Sequence, residues 1–211
     1  MSNFPVVPAN NISLSKRRAV YGVGINDADY VTQPTVDGIQ YMCPYYTKWC
    51  GMIKRCYSVN YQSKHPSYRG CEVCGDWLLF SNFRKWMKSQ DWNNKELDKD
   101  LLIRGNKTYS PDACVFISQA LNSLFVGRPN TGMKKGVSWH EKTKRFHARV
   151  TIGGKKKSLR YFDTEEEANL AYLKAKRVNI VKVANEQADE RIKKSLLDYA
   201  TNIQPLTVEE E

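Results

Sequence analysis

The sequence contains one pair of cysteines at the spacing of metal ligands, Cys71-x-x-Cys74. Two thiolates at this spacing can supply half of a tetrahedral zinc site, and Cys43, Cys56 or Cys114 could complete it. The chain has no second pair at this spacing, and single cysteines beside aromatic residues are typical of a packed core. Zinc binding at Cys71 and Cys74 and a purely structural role are therefore alternatives.

A second pattern with chemical meaning is an alternation of basic and apolar residues toward the C-terminus. From Arg145 to Ile152, polar and mostly basic residues alternate with apolar ones, and this period of two predicts strands with one buried face. We predict that the opposite face carries these side chains: Ser138, His140, Arg145, His147, Arg149, Thr151, Lys156 and Arg160. Lysine and arginine there can neutralise phosphates, and arginine can bind guanine edges, so double-stranded DNA is the predicted partner. The alternative is a charged face exposed only to water.

The overall charge favours the same class of partner. The formal net charge is +11 and the pI is about 9.3, and 14 basic against 5 acidic residues between Met133 and Lys182 leave +9 in that segment alone. An excess of this size favours a polyanion, nucleic acid before a membrane surface. No apolar run approaches the roughly 20 residues of a membrane span, and the first residues lack the pattern of a signal peptide. We therefore expect a cytoplasmic protein without disulfides.

The basic strands must be positioned by a small sheet and a helix. Gly153-Gly154 predicts a hairpin turn, and a third strand follows from Lys156 to Phe162. Thr164 with Glu167 forms a capping-box sequence that predicts the start of a helix. One apolar face of that helix is predicted from these residues: Ala168, Ala171, Tyr172, Ala175 and Val178.

The N-terminal half shows a different mixture of elements. Apolar residues at helical spacing predict helices over Tyr45 to Tyr57 and over Trp77 to Met87. Leu97 to Ile103 predicts a short strand, and Asp112 to Phe125 predicts a strand followed by a helix. Residues 1–40, which are rich in Pro, Asn and Gly, predict an arm with little regular structure.

Three segments of the C-terminal pattern carry a family likeness: Gly136-Val137, Arg145 to Val150, and Phe162 to Ala168 with Ala171-Tyr172. Together they resemble the AP2 DNA-binding domain. The resemblance implies a three-stranded antiparallel sheet, backed by a helix, that docks in the major groove. By position, the contact residues of that family fall on Ser138, His140, Arg149, Thr151, Lys156 and Ser158. Several of these positions are Arg or Trp in the plant members and Ser or Thr here, so the preferred DNA sequence is not implied.

A second likeness runs through the N-terminal half: Trp49, Met52, Arg55-Cys56-Tyr57, Tyr68-Arg69-Gly70, Val73-Cys74, Trp77, Phe80, Leu97 to Asp100, Gly105-Asn106-Lys107, Tyr109 to Cys114 and Asn122. These segments resemble a group of phage proteins described as HNH-like, which often carry an AP2 module behind. The resemblance implies a strand-strand-helix nuclease built around one divalent cation. In that chemistry a histidine activates water, while an Asp beside it and a helix residue hold the metal.

The chain departs from the family pattern at the position of the catalytic base. Lys99 follows Asp98 where the family has its histidine, and the chain has no histidine between His65 and His140. A lysine ammonium is protonated at neutral pH and cannot accept a proton from water. Should the module be active, the candidate catalytic residues are Asp98, Lys99, Asn106 and Asn122, with Asp98 and Asn122 as ligands of a divalent cation. His65 is then the candidate substitute base, and Lys99 is otherwise a candidate phosphate contact.

The sequence therefore predicts an α+β fold in two modules. Residues 1–40 form the arm, 41–126 a degenerate HNH-like module and 127–133 a linker. Residues 134–182 form the AP2-like module, and 183–211 a C-terminal helix with an acidic tail.

Three functions follow as hypotheses. The first is a phage-type DNA-binding protein whose nuclease-like module lacks the usual base. The second is an active HNH-type homing endonuclease that uses a divalent metal, and the third is an effector that binds a host protein. Lys99 favours the first over the second, and the basic module favours DNA over a host protein. Mg²⁺ and Zn²⁺ are the candidate cofactors, and no small-molecule cofactor or membrane partner is indicated.

Overall fold

The computed structural model describes residues 4–125 and 132–203. The predicted acidic tail and most of the predicted linker lie outside these residues. Helices and small sheets are mixed along the chain, which confirms the α+β class. The chain divides into two compact units, Met1–Ile117 and Ser118–Glu211, which are described separately below. Within the described residues, no helix combines the length and the apolar character needed to cross a membrane.

The first unit contains four helices within its described residues. They are α1 (Asn11–Ser15), α2 (Pro44–Tyr57), α3 (Val59–Lys64) and α4 (Phe80–Lys88). Helix α2 confirms the prediction from Tyr45 to Tyr57. The second predicted helix begins later than expected, because Trp77 lies in a separate 3₁₀ turn, Gly75–Leu78, that precedes α4.

Six short strands pair in three small sheets of the first unit. They are β1 (Thr35–Val36), β2 (Ile39–Gln40), β3 (Glu72–Val73), β4 (Glu96–Asp98), β5 (Thr108–Tyr109) and β6 (Val115–Ile117). The pairs β1/β2 and β4/β6 are antiparallel, and β3/β5 is parallel. The strand predicted from Leu97 to Ile103 ends at Asp98, because the Asp98 carboxylate accepts hydrogen bonds from the backbone N–H groups of Asp100 and Leu101 and turns the chain. That part of the prediction was wrong.

An aromatic core holds the first unit together. Trp49, Trp77 and Phe80 are almost fully buried, and the indole N–H of Trp49 donates a 2.7 Å hydrogen bond to the Trp77 carbonyl. Ala28 and Tyr30 are buried in the same core. The segment predicted as an arm therefore has little regular structure beyond α1, β1 and β2, but it packs into the first unit.

The second unit is built from a helix, a three-stranded sheet and two further helices. In chain order these are α5 (Gln119–Ser123), β7 (Val137–His140), β8 (Arg145–Ile152), β9 (Lys155–Phe162), α6 (Glu165–Asn185) and α7 (Glu190–Asn202). The sheet is antiparallel in the order β7-β8-β9. Gly153 and Gly154 form the predicted turn with positive φ angles of 56° and 76°. The predicted capping box is also present, with the Thr164 hydroxyl accepting from the Glu167 backbone N–H.

Helix α6 packs on one face of the sheet through a small apolar cluster that includes Ala148 and Ala168. At Gly136, with a φ of +79°, a Cβ atom would lie 2.1 Å from Cδ2 of Tyr172, so only glycine allows this approach. Val178, predicted on the apolar face, is 71% exposed, and Ile180 is buried instead. The C-terminal part of α6 packs against α7 instead of the sheet, so a different side of the helix is buried there.

Candidate nucleic-acid interface

The face of the sheet opposite α6 presents a continuous polar row. Cross-strand partners share a face, and the register pairs His140 with Arg145, Ser138 with His147, and Thr151 with Lys156. We call this face the outer row, and its members are Ser138, His140, Arg145, His147, Arg149, Thr151, Lys156, Ser158 and Tyr161. None of these residues is acidic, so the row is positive or neutral throughout.

A β-bulge in strand β9 decides which residues join the outer row. Ala148 pairs with Arg160, but the next residue, Arg149, pairs with Ser158, so Leu159 is the extra residue. Leu159 packs with the apolar cluster beneath the sheet. Arg160 therefore lies opposite buried Ala148 instead of in the outer row, which corrects the predicted alternation, although its side chain is exposed.

The bulge brings Tyr161 into the outer row, a position that strand alternation did not predict. Tyr161 pairs with His147 in the register. A signal for it exists in the sequence: Leu159 and Phe162 are both apolar, yet they stand an odd number of residues apart. Strict alternation would put those two side chains on opposite faces, and only a bulge lets both pack beneath the sheet.

Hydrogen bonds fix several side chains within the outer row. The Arg149 guanidinium donates a 3.0 Å hydrogen bond to the Ser138 hydroxyl. A 2.7 Å hydrogen bond joins Nε2 of His147 and the Ser158 hydroxyl. Arg149 is exposed, and a guanidinium has five N–H donors, so most of its donors still face solvent.

Three aromatic rings meet in the middle of the outer row. The rings of His147 and Tyr161 stack with centroids 4.4 Å apart and planes 16° apart, and His140 meets Tyr161 edge-on at 5.0 Å. Partial burial, together with the nearby charge of Arg149 and the neighbouring His140, lowers the pKa of His147 below its ordinary value. The free protein therefore favours the neutral imidazole at this position.

Lysines surround the outer row at both ends of strand β8. Lys142 and Lys144 lie in the turn before β8, where Lys144 forms an ion pair with Glu141. Lys155 to Lys157 follow the turn after β8 and are exposed. Basic side chains therefore lie at both ends of the central strand, and at the first end Lys144 and Arg145 are paired with Glu141 and Asp163.

The residues predicted for nuclease chemistry lie in the loop after β4. Oδ1 of Asp98 accepts hydrogen bonds of 2.9 and 2.7 Å from the backbone of Asp100 and Leu101. Burial raises the pKa of Asp98 above its ordinary value. One carboxylate oxygen of this candidate metal ligand is thus already engaged in shaping the loop.

Lys99 is buried with its side chain only 4% exposed. Its ammonium donates to Oδ1 of Asp100 at 2.6 Å and to the Asn106 carbonyl at 2.8 Å. The side-chain amide of Asn106 in turn donates to the carbonyls of Lys99 and Thr108 at 2.9 and 2.6 Å. Lys99 and Asn106 therefore close the loop from both ends, and the ammonium faces away from solvent.

The two further nuclease candidates are Asn122 and His65. Asn122 lies on α5, which belongs to the second unit, whereas Asp98 belongs to the first. His65 lies at the C-terminal end of α3, exposed, with its ring 4.3 Å from that of Tyr61. Asp98, Lys99 and Asn106 are the predicted catalytic residues that the first unit brings together.

The candidate zinc ligands Cys71 and Cys74 are free thiols. In the part of the chain that the structure describes, no three His, Cys, Asp or Glu side chains group closely enough to hold a metal ion. Burial raises the pKa of Cys56 and of Cys114 to about 12, and it also raises that of Cys74. The surroundings of Cys56, Cys74 and Cys114 therefore favour the protonated thiol.

Comparison with known proteins found no matching protein family, no similar characterised protein and no similar solved structure. Function is therefore inferred from the geometry of the two units. The two candidate sites differ in exposure. Arg149 and Lys156 of the outer row are exposed, whereas Lys99 is buried and Asn106 donates to carbonyls of its own loop.

Proposed function

We propose that the protein binds double-stranded DNA through the outer row of the β7-β8-β9 sheet. The observation that carries the proposal is a sheet face without carboxylates, with exposed Arg149 and Lys156, in a segment of charge +9. A face of one charge sign attracts the phosphate backbone and releases its counterions. The order of three strands and a capped helix agrees with the AP2-like pattern of the sequence.

The dimensions of the sheet suit a DNA groove. The eight residues of strand β8 extend over roughly 23 Å at about 3.3 Å per residue, and the major groove is about 12 Å wide. A strand of this length crosses the groove, so the lysines at its two ends reach the phosphates on either side. Arg149, held by Ser138, then faces the base edges, where a guanidinium can bind guanine O6 and N7.

For the first unit we propose a role without nuclease chemistry. Lys99 replaces the base of the resembled family, and its buried ammonium is bound within the loop. Asp98 is bound to the backbone of the same loop. The HNH-like features are therefore proposed to serve as a scaffold, and the whole protein to act as a DNA binder.

The proposal is tested by fluorescence anisotropy of the full-length protein with a labelled duplex of about 20 base pairs. We expect binding that weakens steeply with salt, because log K falls by about 0.9 per log unit of salt for each neutralised phosphate. Arg149→Ala should weaken binding about tenfold. Arg177→Ala, which removes the same charge from an exposed position on α6, is the matched control and should change affinity less than about twofold. Equal losses in both variants, or no duplex binding by the wild type, would overturn the proposal.

Cleavage is tested separately with supercoiled plasmid in the presence of Mg²⁺ or Mn²⁺. We expect retarded but uncut plasmid under every metal condition. Metal-dependent nicking that disappears in Asp98→Ala would replace the scaffold role by the homing-endonuclease hypothesis. Salt-insensitive capture of a host protein, with no duplex binding, would favour the effector hypothesis instead.

A further inference from the structure

Two of the three histidines of the chain lie together on the proposed DNA-binding face. The rings of His140 and His147 have centroids 6.4 Å apart, and Tyr161 contacts both of them. The bond between His147 and Ser158 and the contact of 2.9 Å between Nδ1 of His140 and the Thr143 hydroxyl hold the two rings in place. Each ring is half-buried, so it is both fixed and reachable from solvent.

The charged groups around the pair are mostly cations. Strand β8 places Arg145 and Arg149 beside it, and strand β9 contributes Lys156 to the same row. Two carboxylates lie near the end of the row, and both are engaged by cations: Asp163 by Arg145 and Glu141 by Lys144. Helix α6 packs against the opposite face of the sheet.

We infer that His140 and His147 form a proton-linked contact for DNA, which takes up a proton when the duplex binds, and that Tyr161 is the residue that positions it. This inference rests on the proposed function and names how the same face is regulated. It adds a role for Tyr161, which strand alternation had not placed in the interface.

Electrostatics gives the direction of the coupling. In the free protein, partial burial disfavours a charged imidazole at His147, and repulsion from the charge of Arg149 adds to this. Bound phosphates offset that repulsion and add a negative potential, so the charged form becomes favourable. By linkage, a ligand that raises proton affinity must itself bind more tightly when the proton is already present.

Tyr161 acts on the pair through ring contacts. Its stacking on His147 and its edge-on contact with His140 fix the orientation of both imidazoles. Without the ring, each histidine would lose a packing partner and rotate more freely. The interaction of its charged form with the phosphates would then be weaker. The ring of phenylalanine would preserve this packing.

The experiment measures affinity for a labelled duplex of about 20 base pairs between pH 5.5 and 8.0, at constant ionic strength, with the full-length protein. Wild type should gain about tenfold in affinity as the pH falls through the range where histidine titrates. His147→Gln and the double variant with His140→Gln should flatten the profile to about a twofold change. His65→Gln, at the remaining histidine, which lies in the first unit, should leave the profile as in wild type.

Tyr161 is tested by the shape of the same profile. Tyr161→Phe should retain the pH dependence, and Tyr161→Ala should reduce it, with circular dichroism confirming the fold of each variant. Should Tyr161→Ala fail to fold, the His147→Gln profile still decides the proton-linked contact, since that position is on the solvent side of the sheet.

The outcomes separate this inference from the proposed function. Duplex binding whose pH profile is the same in wild type and in the double histidine variant would overturn the proton link and leave the DNA-binding proposal intact. A wild type that binds no duplex at any pH would overturn both. Identical profiles for wild type and a folded Tyr161→Ala variant would remove the positioning role alone.

Discussion

The outer row and the loop after β4 use similar side chains for opposite purposes. Both contain basic and polar residues that sequence patterns mark as candidates for chemistry. In the loop, Lys99 and Asn106 bind backbone carbonyls within their own segment. In the outer row, Arg149 and Lys156 point to solvent. The difference shows that residue type at a motif position does not establish chemistry; the groups must also be free to meet a ligand.

The largest effect is expected at Gly136, where Tyr172 of helix α6 approaches the chain just before strand β7. Gly136→Ala places a Cβ against the Tyr172 ring in a backbone conformation with positive φ. We expect the second unit to lose about 3 kcal/mol or more of its free energy of unfolding, and duplex binding to fall with it. Thermal denaturation followed by circular dichroism measures the loss.

Gly154→Ala separates the two causes, because Gly154 also has positive φ but no atom would lie within 4 Å of the new Cβ. Its cost should be confined to backbone strain, about 1 kcal/mol. Equal destabilisation by the two substitutions would contradict the close approach of Tyr172 to Gly136.

The next largest effect is expected at Lys99. Lys99→Met removes the donor to Asp100 and to the Asn106 carbonyl in a buried site. A loss of about 2 to 3 kcal/mol in the free energy of unfolding of the first unit is expected, with duplex affinity unchanged. Chemical denaturation and anisotropy measure the two quantities.

Lys85→Met is the matched control, since it removes the same charge from an exposed position on α4. It should change stability by less than about 0.5 kcal/mol. A Lys99→Met protein that is as stable as wild type but binds duplex weakly would make Lys99 a phosphate contact, as Lys156 is proposed to be.

A smaller effect is expected within the outer row at Ser138. Ser138→Ala removes the hydroxyl that accepts from Arg149. Affinity for duplex should fall about threefold, the loss expected when one positioning hydrogen bond of about 0.6 kcal/mol is removed. Anisotropy gives the affinity, and the melting temperature should stay as in wild type. A lower melting temperature with unchanged affinity would show that this bond serves the fold instead of the interface.

The smallest effect is expected at Asp98. Asp98→Asn keeps an oxygen that can accept from the backbone of Asp100 and Leu101. Because burial raises the pKa of Asp98 in the folded state, its ionised form opposes folding, and this opposition grows as the pH rises through the titration of the carboxyl group. At neutral pH the variant should therefore be at least as stable as wild type by thermal denaturation. Stabilisation of wild type by Mg²⁺ that is absent from the variant would instead make Asp98 a metal ligand.

Local features of the sequence are sufficient to predict several elements of the second unit. Alternation fixed β8, Gly153-Gly154 fixed the turn, and the Thr164 capping box fixed the start of α6. These features depend on neighbours in the chain, so local chemistry is sufficient to predict them. The charge of the segment is likewise a property of composition.

Packing between elements determines which candidate residues are exposed and able to bind a ligand. Tyr161 enters the outer row because the Leu159 bulge changes the register. Lys99 is buried because its ammonium donates to the Asn106 carbonyl on the other side of the same loop. Likewise, Ala28 and Tyr30 join the core although their segment has little regular structure. Each placement depends on a contact that the periods of strands and helices do not specify. The fold class was therefore predictable, whereas the membership of the candidate site depended on packing between elements.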